Sequence, residues 1–237
     1  MTSPILVKPL SDCRLYTFVD TAYLNGRDVA SVTQQLCDGG SDIIQLRAKN
    51  FSTDEIRRMA ETILPITQRA GVPLVINDHL QIAQEIGAEF CHLGQEDFFD
   101  AGHTQVAELF SSEGRAPQVP NSPNDKMRLA ERVSPKIGLS THSPAQAVRA
   151  IAAGADYVAI GPIYATGTKP TAKPVTLDYI RWAAANVKIP WFAIGGINLQ
   201  NLDEVLAAGA QRICVVSAIL NSKNIAQTCL EFRKRLK

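Results

Sequence analysis

Short β-rich runs alternate with longer helical patterns along almost the whole chain, and that alternation leaves few folds open. The strand candidates are Leu15–Val19, Ile43–Leu46, Leu74–Ile76, Phe90–Leu93, Lys136–Leu139, Tyr157–Ile160, Trp191–Ile194 and Ile213–Val216, rich in residues that suit buried sheet. Between and after them the spacing predicts helices over Arg27–Cys37, Thr53–Ala70, Leu80–Ile86, Thr104–Phe110, Pro144–Ala153, Leu177–Asn186, Leu199–Ala208 and Ile219–Lys234. Such a rhythm predicts parallel strands joined by helical crossovers.

Three crossovers end alike, in Glu85-Ile86-Gly87-Ala88, Ala152-Ala153-Gly154-Ala155 and Ala207-Ala208-Gly209-Ala210. Gly fits the left-handed position after a helix, and Ala lets helix and sheet pack closely. The repetition favours a single (β/α)8 TIM barrel over two smaller domains. A chain of 237 residues that is 46% hydrophobic is long enough to bury that core. Residues 1–12 read as an N-terminal lead-in and 13–237 as the barrel. The rhythm breaks at 111–134, where Pro117, Pro120 and Pro123 stand among Ser, Asn and charged residues. That stretch reads as an inserted surface loop on the rim opposite the strand ends, with room for a helical turn at Asp125–Arg132.

Lys and Arg total 24 against 23 Asp and Glu, a net charge of +1. This balance supplies no global field for nucleic acid or an anionic membrane, so any anion must be held by local clusters. Small-molecule ligands are expected, and the sequence leaves a homo-oligomer open. The N-terminus lacks an apolar stretch of signal-peptide length, and no run of about 18 apolar residues can cross a bilayer, which suits the cytoplasm or an organelle stroma. Cys13, Cys37, Cys91, Cys214 and Cys229 are isolated, odd in number and without Cys-x-x-Cys spacing, as reduced thiols would be.

Polar clusters recur where predicted strands end, and in a parallel barrel those positions share one rim. Gln45, Arg47 and Lys49 alternate along one side of an extended segment. They form either a phosphate clamp or a solvated strand end. Asp78, after Asn77, and Asp97, after Gly94-Gln95-Glu96, sit on neighbouring strand ends and can share Mg²⁺. The alternatives are a helix N-cap for Asp78 and a turn for Asp97. Ser140 and Thr141 offer hydroxyls, while Ser143 before Pro144 reads as a helix cap.

A Ser140–His142 nucleophilic pair is disfavoured, since no G-x-S-x-G elbow accompanies it. His79, His92 and His103 lack metal-ligand spacing and read as capping, packing or surface residues. The loop from Gly161 to Pro170 carries Thr166, Gly167, Thr168 and Lys169 and can close as a lid. Gly195-Gly196 after the seventh strand and Ser217 after the eighth match the common barrel phosphate site, although glycines there also serve tight turns.

Two anion-binding regions in one mouth suggest one substrate with a diphosphate leaving group and another with a monophosphate handle. The ordered set Gln45-Leu46-Arg47-x-Lys49, Asn77-Asp78, His92-Leu93-Gly94-Gln95-Glu96-Asp97, Gly138-x-Ser140-Thr141-His142, Gly161-Pro162-x-x-x-Thr166-x-Thr168-Lys169 and Ile194-Gly195-Gly196-Ile197 resembles the thiamine-phosphate synthase (thiamine-phosphate pyrophosphorylase) family, over residues 13–220.

The resemblance implies a transferase that joins hydroxymethylpyrimidine diphosphate to the phosphate of hydroxyethylthiazole. By motif, Gln45, Arg47, Lys49, Asn77, Ser140 and Lys169 take the pyrimidine diphosphate, with Arg47, Ser140 and Lys169 closest to the chemistry. Asp78 and Asp97 hold Mg²⁺, and Thr166, Gly167, Thr168, Gly196, Val216 and Ser217 take the thiazole phosphate. Ala48, His79 and Gly167 depart from the residues frequent in the family, where acid, Arg and Pro are common. A thiazole tautomerase or a non-catalytic phosphate-ligand sensor on the same barrel remain as rivals, and neither needs the full set Arg47, Lys49, Asp78, Asp97 and Lys169.

Overall fold

The protein is described by a computed structural model over residues 8–111, 134–167 and 173–236. Eight parallel strands close in sequence order into a barrel: β1 Leu15–Asp20, β2 Ile43–Arg47, β3 Leu74–Asn77, β4 Phe90–Gly94, β5 Lys136–Thr141, β6 Tyr157–Ile160, β7 Trp191–Ala193 and β8 Ile213–Val215. All eight expected strands are present. β1 to β5 run one or two residues further than their apolar runs, because polar ends such as Asp20, Arg47 and Asn77 stay in the ladder. The register sets Asp20 beside Arg47, Asn77 beside His92 and Gly94 beside Ser140. β7 and β8 each stop one residue early.

Helices α1 Val29–Asp38, α2 Thr53–Ala70, α3 Leu80–Ile86, α5 Pro144–Ala152, α6 Thr176–Asn186 and α7 Leu202–Ala207 fall close to the expected positions. Three elements differ from the expected ones. An unexpected α4, Gln95–Asp100, starts directly at the end of β4, and Val106–Phe110 is a 3₁₀ helix rather than part of an α-helix. The last helix divides into α8 Ser217–Leu220 and α9 Ile225–Arg235, because the Asn224 side chain accepts the Gln227 N–H at 3.0 Å and starts a fresh N-terminus. Leu10–Asp12 of the lead-in forms a 3₁₀ turn. The loop reading of 111–134 falls almost wholly on residues 112–133, outside the described residues.

The barrel floor extends the Gly-Ala repeat. Gly40, Gly87, Gly154 and Gly209 all hold φ between 76° and 108°, so Gly40-Ser41-Asp42 is a further copy of the motif. Two residues after three of these glycines, a carboxylate accepts the N–H at the start of the preceding strand. Asp42 takes Leu15 N–H at 2.9 Å, Glu89 takes Leu74 N–H at 2.9 Å, and Asp156 takes Ile137 N–H at 2.8 Å. Each bond ties an odd-numbered strand to the helix end that feeds the next one. Burial pushes the Glu89 carboxyl above its usual range.

Asp42 does the most, since it also accepts Arg14 N–H at 2.8 Å, pairs with Arg233 at 2.8 Å and contacts the Lys8 ammonium, while only 4% exposed. Asp42→Ala is expected to lower unfolding stability by roughly 3 kcal/mol, because the N–H groups of Arg14 and Leu15 at the entry to β1 and two cations lose a buried acceptor. A chemical-denaturation midpoint measures it, and an unchanged midpoint would refute the role.

Inside the barrel, Tyr16, Phe18, Tyr157 and Phe192 fill the layer beneath the mouth. Tyr16 stacks on Phe18 with centroids 5.1 Å apart, and Phe192 meets both tyrosines edge-on at 5.3 Å and 5.8 Å. Space for Tyr157 comes from Gly138 on β5, where any Cβ would overlap the phenol ring. These rings pack the barrel interior beneath the C-terminal rim, where the polar strand ends stand.

Candidate active site

The strand C-terminal ends surround a cavity of about 1020 Å³, counting its open mouth, to which β1, β2, β3, β4, β5 and β8 contribute polar side chains, while β6 contributes Ala159. β2 supplies the cationic wall. Gln45, Arg47 and Lys49 all line the cavity, so their shared parity points inward as the alternation requires. Arg47 Nη1 donates to Asp20 Oδ2 at 2.8 Å, and Asp20, only 1% exposed, also accepts Ala22 N–H at 3.0 Å. The carboxylate stands behind the guanidinium and leaves its remaining donors for the cavity.

The acidic wall faces it from β3 and α4. Asp78 Oδ2 accepts Asn77 Nδ2 at 2.6 Å and lies 3.6 Å from Lys49 Nζ. Asp78 takes φ 63°, and its N–H donates to the His92 carbonyl at 2.9 Å, so a strained conformation is held by the neighbouring strand. Asp78 is not a helix cap: the residue ahead of α3 is His79, and no side chain caps that helix. Asp97 lies in the first turn of α4, not in a turn alone, and its carboxylate occupies the space that a side chain at Gly94 would need.

Among the described residues no three His, Cys, Asp or Glu converge as a metal cage. Two carboxylates and a carboxamide, all hard oxygen donors beside an open cavity, suit Mg²⁺, which keeps several waters and takes further oxygens from a phosphate. The donor set fits that ion.

The far wall comes from β6, β7 and β8. Thr166, Gly195, Gly196, Val216 and Ser217 line it, and a Cβ at Gly167, after Thr166, would stand 3.2 Å from the Tyr23 hydroxyl. Ser217 opens α8, so its N–H precedes the first intrahelical bond. Thr168 and Lys169 lie outside the described residues. The loop after β6 is fastened to the end of β7: Ile163 N–H donates to the Ile194 carbonyl at 2.9 Å and Tyr164 N–H to the Gly195 carbonyl at 3.0 Å. Side chains at Gly161, Gly195 or Gly196 would each collide with the opposite loop, the last two at φ 102° and 66°.

Ser140 reaches the cavity from β5, 2.9 Å from His92 Nε2. Ser143 is the α5 cap, accepting Gln146 N–H at 3.3 Å. His142 turns away from Ser140 and its Nδ1 meets the Gly161 carbonyl. Of the packing, capping and surface alternatives for His92, the structure has the packing one, a buried ring 5.6 Å from that of Tyr157, and it adds hydrogen-bond contacts to Ser140 and Tyr157 at the barrel mouth. Asp20, Tyr16 and Tyr157 carry no motif of their own, and only their inward parity on β1 and β6 marks them. Cys214 also lines the cavity, where burial holds its thiol well above the usual range and so protonated.

The chain matches the family model described as thiamine monophosphate synthase over residues 15–113 and 121–219. The thiamine-phosphate synthase of Lawsonia intracellularis is 38% identical over 226 residues, covering 95% of this chain and 93% of that protein. That of Thermus thermophilus is 38% identical over 205 residues, covering 86% and 87%. The thiamine phosphate pyrophosphorylase structure from Pyrococcus furiosus superposes with a TM-score of 0.73 at 25% identity, covering 96% of each chain. With both halves of the barrel matched and relatives this similar along nearly its full length, the chain belongs to the thiamine monophosphate synthase family.

Proposed function

We propose that the protein condenses 4-amino-2-methyl-5-(diphosphooxymethyl)pyrimidine with 4-methyl-5-(2-phosphooxyethyl)thiazole, giving thiamine monophosphate and diphosphate. The observation that carries this reading is the division of one mouth into a cationic and acidic side, Arg47 and Lys49 against Asp78 and Asp97, and a glycine-lined side at Gly195, Gly196 and Ser217. A diphosphate with its metal suits the first, and a monophosphate ester suits the second.

Gln45, Arg47, Lys49, Asn77, Ser140 and Lys169 are assigned to the pyrimidine diphosphate, Lys169 by its motif. Thr166, Gly167, Thr168, Gly196, Val216 and Ser217 are assigned to the thiazole phosphate. Asp78 and Asp97 hold Mg²⁺, whose charge, when it is bound, offsets that of the diphosphate. Cleavage of the C–O bond at the pyrimidine methylene leaves a carbocation stabilised by the electron-rich ring, and the thiazole nitrogen captures it. Arg47, Lys49 and Lys169 neutralise charge on the departing diphosphate, and Ser140 holds the reacting end. The thiazole nitrogen has its lone pair free, so no dedicated general base is needed. Small molecules are the partners. Among the described residues no helix is long and apolar enough to cross a membrane, and a cytoplasmic or stromal site of action accords with the reduced cysteines.

Both substrates supplied with Mg²⁺ should yield thiamine monophosphate and diphosphate in equal amounts. Binding of either substrate without product would favour the tautomerase or the sensor. Asp97→Asn should raise the Mg²⁺ concentration for half-maximal rate by on the order of tenfold or more, because one of two anionic oxygen ligands is lost. A Mg²⁺ titration identical to that of the unaltered protein would remove Asp97 from the metal site.

A further inference from the structure

Five side chains from five strands form a single hydrogen-bonded row across the barrel beneath the cavity. Gln45 Nε2 on β2 donates to the Tyr16 hydroxyl on β1 at 2.6 Å. The Tyr16 and Tyr157 hydroxyls share a hydrogen bond at 3.3 Å, Tyr157 Oη lies 3.1 Å from His92 Nδ1, and His92 Nε2 lies 2.9 Å from Ser140 Oγ. Tyr157 does not touch the cavity, whereas Gln45, Tyr16, His92 and Ser140 do.

Each phenol carries one proton, and burial pushes both phenols well above their ordinary pKa, so both keep it. The polarity of the row is then set at one end. Tyr16, accepting from the Gln45 carboxamide, directs its own proton to Tyr157. Tyr157 in turn directs its proton to His92 Nδ1. An imidazole that accepts at Nδ1 carries its hydrogen on Nε2, and that hydrogen is donated to Ser140 Oγ. With its oxygen accepting from His92, Ser140 has its hydroxyl hydrogen to give elsewhere, and the cavity is the side it faces.

We propose that Tyr157 is a positioning residue that acts through His92 to hold Ser140 as a hydrogen-bond donor toward the diphosphate oxygen that leaves the pyrimidine methylene. This rests on the condensation reading above. Negative charge grows on that oxygen as the C–O bond breaks, so a donor aimed at it lowers the barrier and an acceptor would raise it. The reverse polarity would place the hydrogen on Nδ1 and direct the Ser140 hydroxyl into His92, leaving only lone pairs for the substrate. Gly138, by making room for the Tyr157 ring, keeps the row in register.

The test reads the histidine directly. Protein labelled with ¹⁵N-histidine, free of substrate, is observed by long-range ¹H–¹⁵N correlation, and His92 is assigned by the signals missing in His92→Gln. The Nε2–H tautomer is expected in the parent protein. It should persist in Tyr16→Phe, which keeps the Tyr157 donor, and give way to a mixture in Tyr157→Phe. In turnover assays Tyr157→Phe should lower kcat roughly tenfold, the loss of one hydrogen bond in the transition state, with KM for the pyrimidine diphosphate changed less than about twofold. An Nδ1–H tautomer in the parent overturns the proposal even if Tyr157→Phe fails to fold, and so does a Tyr157→Phe enzyme with parental kcat. Because the spectrum needs no substrate, an inactive parent protein would overturn the condensation reading while the tautomer still decides the polarity.

Discussion

Arg47→Ala is expected to reduce kcat/KM for the pyrimidine diphosphate by a factor on the order of 10³, through both a raised KM and a lowered kcat. The guanidinium is a fixed donor: Asp20, buried and anchored by the Ala22 N–H, holds Nη1 at 2.8 Å. A side chain already oriented in the free protein adds its full charge-assisted bonds to the departing group without losing its own freedom on binding. The substitution also strands the Asp20 carboxylate in a buried place, so stability should fall by about 3 kcal/mol or more.

The pairing separates the two effects. Arg47→Ala with Asp20→Ala should recover most of the stability and none of the activity, as followed by thermal unfolding and steady-state kinetics. Recovery of activity in the double variant would show that Arg47 acts only as a counter-ion.

Gly138→Ala should damage both stability and turnover through one added methyl group. Gly138 is on a buried strand, and a Cβ there would fall inside the Tyr157 ring. The ring has nowhere to go, since Phe90 and Phe192 meet it edge-on at 5.9 Å and 5.8 Å and its hydroxyl is bound at both neighbours. Overpacking at a site this constrained costs about 3 kcal/mol. The displaced ring would carry the His92 and Ser140 contacts with it, so the residual folded enzyme should be slow as well as unstable. A denaturation midpoint equal to that of the parent protein would mean that the strands yield instead.

The barrel was legible because strands buried on both faces read as dense apolar runs, and because a Gly with φ above 70° followed by Ala punctuates the chain before β4, β6 and β8. The rim was legible for a related reason: polar residues directly after such runs have one place to go. Gln45, Arg47, Lys49, Asn77, Asp78, Asp97 and Ser140 all line the cavity. The failures are of another kind. Gln95–Asp100 is a helix built from residues that suit a loop equally well, and it forms because it begins at the very end of β4. Asp20 and the tyrosine row owe their chemistry to partners far away in sequence. Tyr16 and Tyr157 are 141 residues apart, and nothing in either local pattern distinguishes a phenol with a partner from an ordinary core aromatic.

The fastening of the β6 loop onto the end of β7 bears on how this barrel can be altered over time or by design. Gly161 makes way for Ile194, and Gly195 and Gly196 make way for Pro162 and Tyr164. Neither loop can be transplanted from another barrel by itself, because each is the mould in which the other is cast. Exchange of the two as a matched set is the route open to recombination, so the share of the glycine-lined side held by Thr166, Gly195 and Gly196 should travel as one heritable module spanning residues 161–196, with Val216 and Ser217 inherited separately after β8.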